Sequence, residues 1–353
     1  MTSQPLRVDR RPERLLLDDH RVILRYLDFR HPPRIRSILR RLLRLSQDEV
    51  STANRRISEH FLPHHRDGDE AFLMHYEQAM RHMHMRPELS DEHKRFIGAC
   101  FTMEYSIEAA ALFNPSIVPH PNQDDLEPGS VRFLMSLRAT GEGHVSSIVF
   151  RRGTVDATGR IAFDPPPKYA SAPPPQPDKT LDKQAYIRRL DTHGVSHERM
   201  ELVLAELDDQ FRVSQLRRVL KRLRSEGRIG TGWKRLKSTM LWVAIANYDL
   251  HIPHHCMPSE AVIFPATDYE ARGMEDVRLV LFTDDDGTRT YYGTYTAYDG
   301  HGTYPMLIET SDFHDFRIHA LGGRFARNKG MAMFPRKIEG DYVMLARHDG
   351  ENM

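Results

Sequence analysis

Through region 1–112, apolar residues recur at three- and four-residue spacing. DHRVILRYLDF and RIRSILRRLLRLS each carry an apolar stripe with arginines opposite, and that spacing predicts amphipathic helices. Ser46 to Asp48 stand where a cap belongs, ahead of a further helix over DEVSTANRRISEHF. Past Asn114 the pattern changes. VRFLMSLRATGEGHVSSIVFRR, RTYYGTYTAYDGHGTYPMLIETSDF and GDYVMLARHDGENM each begin with an apolar or aromatic strand and turn at a glycine beside an acid. The first two continue into a second strand. Recurring strand, tight turn and strand is the pattern of propeller blades. A closed propeller needs at least about four blades of four strands. The sequence supplies three units with the last incomplete, so a chain truncated at its C-terminal end is the expectation.

Between the first two units, FDPPPKYASAPPPQPDK reads as an extended linker or loop. Helical patterns follow in KQAYIRRLDTHG, SHERMELVLAELDDQF and VSQLRRVLKRLRSEGRIG. Short helix, turn, basic helix and glycine match a helix-turn-helix or winged-helix module. The commoner arrangement is a helical insertion packed on the strands, with Arg217, Arg218, Lys221 and Arg222 facing water. The division expected is a helical region 1–112, then a partial propeller 113–353 interrupted by linker and insertion at 165–235.

Composition narrows the classes. The chain has 353 residues, 40% hydrophobic and 28% charged, with a formal net charge of +1. A near-neutral total argues against a dedicated polyanion binder, and a nucleic-acid partner is not expected. The arginines up to Arg44 are interleaved with Asp9, Glu13, Asp18, Asp19 and Asp28, so they read as a solvated face and not as a targeting peptide. No apolar run approaches the roughly 18 residues of a membrane span. With no secretory core and only Cys100 and Cys256, a cytoplasmic protein is expected. His64, His65, His75, His82 and His84 invite a metal hypothesis. His82 and His84 would point to different sides of a helix, no Cys or carboxylate completes a set, and no metal is expected.

Three stretches concentrate polar groups at strand ends. FNPSIV through SLRATGEGH offers Asn114, Arg138, Glu142 and His144; MEDVR offers Glu275, Asp276 and Arg278; NKGMAMFPRK and YVMLARHDG offer Lys329 and Arg347. Singly these read as a hairpin turn with Gly141 and Gly143 at positive φ, a charged strand start, and surface basicity. Together they recur at corresponding places in the units, and blades converge on one channel. Arginines beside a carboxylate in such a channel suit a sugar with a general acid for its glycosidic oxygen, and they also suit phosphate.

On these residues the sequence resembles glycoside hydrolase family 130. The likeness runs from Phe113 to the end apart from the insertion, most strongly from Gly273 to Asn352. The family's Glu-Asp-Pro-Arg motif stands here as Glu275-Asp276-Val277-Arg278, and TYTAYDG and NKGMAMFPRKI match two further motifs. Val277 replaces the family's proline, and Gly330 stands where an Asp often follows the lysine. The long helical N-terminus and the insertion look like a branch often called simply glycosidase.

The resemblance implies a mainly β, five-bladed propeller that cleaves mannosides, mostly β-linked, by inverting phosphorolysis or hydrolysis. It implies Asp276 as the catalytic acid and Asn114 and Arg138 as the grip on the sugar. Lys329 and Arg347 fall where the family's phosphorylases contact phosphate. Glu142, Glu275 and Arg278 are candidates for further contacts to substrate, Glu275 and Arg278 by orienting Asp276. The leading expectation is phosphorolysis of a β-mannoside to mannose 1-phosphate, with inorganic phosphate as co-substrate and no other cofactor. A hydrolase using Glu142 or Glu275 as base, or a non-catalytic glycan-binding or inactive chain, are the alternatives. Whether the chain forms a homo-oligomer is left open.

Overall fold

The first apolar run, VILRY, forms a strand where the spacing predicts a helix. In the computed structural model, which describes residues 12–347 except 84, 86, 175–178, 194, 196, 229 and 231, β1 (Val22–Tyr26) pairs antiparallel with β2 (Thr102–Ser106). Adjacent β-branched Val22 and Ile23 are stiff at χ1 and favour the extended chain. A partner strand about eighty residues along then decides it. Four helices lie between the two strands: α1 (Pro32–Leu42), α2 (Gln47–His60), α3 (Gly68–Met80) and α4 (Asp91–Cys100). Ser46 caps α2, as expected, and it does so in a reciprocal box with Glu49, a partner the sequence reading did not name. Ile35, Leu39, Tyr76, Met80, Ile97 and Phe101 form the core of this helical region.

Two of the histidines singled out from the sequence are held by hydrogen bonds. His65 Nε2 meets Glu104 at 2.7 Å, and buried His75 Nδ1 meets the Thr102 hydroxyl at 2.8 Å. His84 lies outside the described residues. Burial pulls the His75 imidazole down to about 4, against about 6.5 for an unfolded histidine. The folded value is the lower, so as pH falls the unfolded chain takes up the proton first. This contribution to stability is present above about 6.5 and is lost as pH falls towards 4. The thermal midpoint should drop across that window, and His75→Gln should flatten the drop; an unchanged slope in the variant would assign it elsewhere.

The main sheet follows in two sets. The first is β3 (Ala111–Pro119), β4 (Val131–Thr140), β5 (Ser146–Val155) and the short β6 (Ile161–Phe163). The insertion then contributes β7 (Thr180–Asp182), α5 (Lys183–Asp191), α6 (His197–Leu204), β8 (Gln210–Arg212), α7 (Val213–Ser225) and α8 (Trp233–Ile245), with β7 and β8 paired. Arg217, Arg218, Lys221 and Arg222 are exposed on α7. Its apolar face (Leu216, Leu220, Leu223) joins Met240 of α8 and sheet residues Ile148, Phe150, Met274 and Phe316 in one core. The insertion is therefore packed on the sheet. The last helix, α8, has no counterpart in the sequence reading.

The second set is β9 (Tyr248–His251), β11 (Gly273–Thr283), β12 (Arg289–Tyr298), β13 (Thr303–Thr310) and β14 (Asp315–Ala320), while β10 (Val262–Ile263) adds to β5. The two complete strand-turn-strand units expected from sequence are β4–β5 and β12–β13. Of the third, the described residues show β16 (Met344–Leu345) paired with β15 (Ala332–Met333), two residues each, and the turn expected past 347 is outside the described residues.

The two sets meet where β5 and β11 run parallel, at the single pair Ser146 and Gly273. Gly273 has φ +137°, and a Cβ there would lie 2.8 Å from Ser146 N, so the joint requires glycine. The chain is mainly β, with one ten-stranded sheet and eight α-helices among the described residues. The described strands do not close into a barrel, so the expected propeller ring is not seen as such. No described helix is long and apolar enough to cross a membrane.

Candidate functional site

The site is built by two bulges that face each other across this joint. In β3 the register with β4 shifts between Phe113 and Ser116, and Asn114 takes φ +51°. In β11 the register with β12 shifts between Glu275 and Arg278, and Asp276 takes φ +58°. Asn and Asp tolerate the left-handed region better than other side-chain-bearing residues, and a bulge re-aims the side chain it carries. Asn114 Nδ2 donates a hydrogen bond to Asp276 Oδ1.

Arg138 of β4 spans both acids. Its Nη1 donates to Asp276 Oδ1 at 3.2 Å and its Nη2 to Glu275 Oε1 at 3.0 Å. The guanidinium is fixed from behind by Nε donating to Ser146 Oγ at 2.9 Å, and it lies 5.1 Å over the ring of Phe113, its cross-strand partner. Lys329, in the loop ahead of β15, donates Nζ to Glu275 Oε2 and sits 5.6 Å over the Tyr298 ring. Glu275 is thus buried between two cations, and Asp276 beside it is half-exposed.

Behind the acids, the turn that leads into β11 is pinned. Buried Glu270 accepts hydrogen bonds from Tyr248 (2.8 Å), Tyr295 (2.7 Å) and the Ala266 (3.0 Å) and Thr267 (3.1 Å) amides. Burial, then the Glu270 charge, push both phenols well above their ordinary range.

Of the residues chosen from sequence, the structure brings together Asn114, Arg138, Glu275, Asp276 and Lys329. Arg347 is exposed, and its guanidinium lies against Gly330, the residue after Lys329, where a Cβ would come 3.3 Å from Nη2. Two candidates stand apart. Glu142 accepts from the Ser106 amide at 3.1 Å and from the Tyr105 hydroxyl through its carbonyl at 2.7 Å, which ties the β4–β5 hairpin to β2. Arg278 is exposed beyond the bulge and makes no hydrogen bond with Glu275 or Asp276 among the described residues. In the hairpin Gly143 has φ +65°, as expected. Gly141 does not; there a Cβ would lie 2.4 Å from Ser106 O.

Sequence reasoning did not single out Ser146, Phe113 and Tyr298, the residues that hold Arg138 and Lys329. Tyr298 stands inside TYTAYDG and Phe113 beside Asn114, so both lay within quoted motifs. A separate cleft of about 610 Å³ opens between the helical region and the linker, lined by Arg66, Glu104, Tyr169 and Cys256 among others. None of the residues around Asp276 lines it.

A carboxylate with one half-exposed edge, an amide and a guanidinium aimed at it, and the Lys329 ammonium alongside can grip vicinal hydroxyls, move a proton and hold an anion. No protein-family model matches the chain, and no curated protein matches it. Among solved structures, one described as showing that the GH130 family of mannoside phosphorylases contains glycoside hydrolases that target β-1,2 mannosidic linkages in Candida mannan aligns with a TM-score of 0.29 and 14% identity. The alignment covers 68% of this chain and 45% of that one, so the chain spans under half the length of that structure.

Proposed function

We propose that this chain is a carbohydrate-active enzyme that cleaves β-mannosides by inverting phosphorolysis, with Asp276 as proton donor and inorganic phosphate as co-substrate. The observation that carries the reading is the meeting of Asn114, Arg138, Glu275 and Asp276 on two facing bulges, with Lys329 brought in from a later loop. In this reading the two strand sets are blades of a propeller and the bulges lie at its channel.

A mannosyl ring enters beside Asp276, and Asn114 and Arg138 turn from the carboxylate to the ring hydroxyls. Phosphate held by Lys329 and Arg347 attacks the anomeric carbon from the face opposite the leaving oxygen. A bond from phosphate oxygen to the anomeric carbon forms as the glycosidic bond breaks. The proton from Asp276 reaches the leaving oxygen through a hydroxyl of the bound sugar, and the attacking hydrogen phosphate gives up its own proton to restore Asp276. The products are mannose 1-phosphate of inverted configuration and the released sugar.

Hydrolysis requires a second carboxylate about 6.5–9.5 Å from the first to activate water. Both candidates are engaged: Glu142 with the Ser106 amide, and Glu275 with Arg138 and Lys329 on its two oxygens. That favours phosphate over water. Incubation with a β-linked manno-oligosaccharide should give mannose 1-phosphate only when phosphate is present. Free mannose without phosphate would make the chain a hydrolase, and sugar binding by calorimetry without any product would make it a binding protein. Lys329→Ala should raise the KM for phosphate by roughly 10- to 100-fold, the loss of one charge-assisted hydrogen bond, and leave sugar affinity little changed. An unaltered phosphate KM would remove Lys329 from the phosphate site.

A further inference from the structure

At the opposite edge of the sheet, β9 ends at His251, the first residue of HIPHHC, and the turn into β14 carries a fourth histidine, His314. We infer that His251, His254 and His314 form a binding site for a divalent cation of the zinc class.

The argument rests on ring tautomers and ring spacing. His251 Nδ1 lies 2.7 Å from Asp315 Oδ1, and His314 Nδ1 lies 3.3 Å from the Ile252 carbonyl oxygen. Both partners are acceptors only, so both rings carry their hydrogen on Nδ1. Each neutral ring then presents a bare Nε2, the atom and tautomer that bind metals. A carboxylate behind a ligating histidine is also the usual outer partner, fixing ring orientation and raising basicity.

His254 lies between these two rings. Its centroid is 5.6 Å from that of His251 and 4.9 Å from that of His314. Three imidazoles bound to one tetrahedral ion at about 2.0–2.1 Å would have centroids about 5 Å apart. The ligand atoms of the three rings do not all lie within 4.8 Å of one another, so side-chain rotation has to bring the three nitrogens together before an ion binds. Water takes the fourth position. A bound ion would pin segment 252–256 to the β13–β14 turn and close the end of β9, the edge strand of the sheet.

The test uses the full chain without a histidine tag, stripped with chelator and titrated with Zn²⁺ against a competing chromophoric chelator. One ion should bind per chain. His254→Ala should weaken it at least about tenfold, and Asp315→Asn, which touches only the back of a ligand, by about 10- to 100-fold. His20→Ala, in the exposed Asp18–Asp19–His20 group whose ligand atoms already lie within 4.8 Å of one another, should bind as wild type does. Co²⁺ should give the intense visible bands of a tetrahedral site in wild type and lose them in His254→Ala. His254→Asn serves if the alanine variant does not fold. No binding by the wild type, or equal binding by the His254 variants, overturns the inference; so does loss confined to His20→Ala.

Discussion

Asp276→Asn is expected to lower phosphate-dependent release of mannose 1-phosphate by about 10²- to 10⁴-fold, the usual contribution of a placed proton donor. The substitution separates chemistry from architecture. Asp276 Oδ1 accepts from Asn114 and from Arg138, and an asparagine keeps that oxygen with both donors. The bulge conformation, φ +58°, is equally open to asparagine. What disappears is a group able to give up and regain a proton. Sugar affinity measured by calorimetry and the thermal midpoint should stay close to those of the wild type. A variant turning over at the normal rate would show that the proton comes from elsewhere, and one that no longer binds sugar would make Asp276 a binding group.

The largest effect on stability is expected at Glu108. This residue is fully buried in the turn between β2 and β3, where it accepts from Arg21 and, on both oxygens, from Arg151 at 2.6 and 2.7 Å. It also accepts from the Asp18 amide at 3.1 Å. Burial, and then the Arg151 charge, pull Arg21 down to about 10. Glu108→Gln keeps the shape and removes the charge, leaving two guanidinium groups together in the interior without a counterion. Loss of one partner from a buried ion pair costs about 3–5 kcal/mol. Arg317→Ala, which breaks the exposed pair with Glu309 at 3.1 Å, should cost under about 1 kcal/mol. Urea denaturation of the two variants side by side measures the difference, and equal costs would refute the clasp role of Glu108.

What could be read from sequence was what neighbours in sequence determine. The β4–β5 and β12–β13 hairpins follow from alternating residues and a glycine turn, and the cap of α2 from Ser46 standing just ahead of the helix. Features set by distant partners were not legible. VILRY fits a helix stripe as well as a strand, and only its pairing with 102–106 decides. Glu142 looked like a free acid because Ser106, which holds it, is 36 residues upstream. Arg278 was grouped with Glu275 and Asp276 by adjacency, but the bulge shifts the register between them. The helix α8 begins behind a glycine-rich segment, which masked its apolar spacing at Leu236, Met240 and Leu241. In the site itself, the motif residues were legible and their supports were not: Ser146 and Phe113 matter through Arg138, from the strands on either side of it.

The span between the two bulges also governs the order in which the protein can mature. Asn114 and Asp276 are 162 residues apart, and Arg138 and Glu275 are 137. Closing a loop of that length costs entropy before any contact repays it. The helical insertion lies inside the loop, and it packs on residues from both ends of it, Phe150 before and Met274 and Phe316 after, in one core. During synthesis Arg138 leaves the ribosome long before either acid exists to receive it. In the first half β4 is already paired on both sides, by β3 and β5, so Arg138 waits on a formed strand without its acids until β11 arrives, and the site closes after the strands that carry its first half.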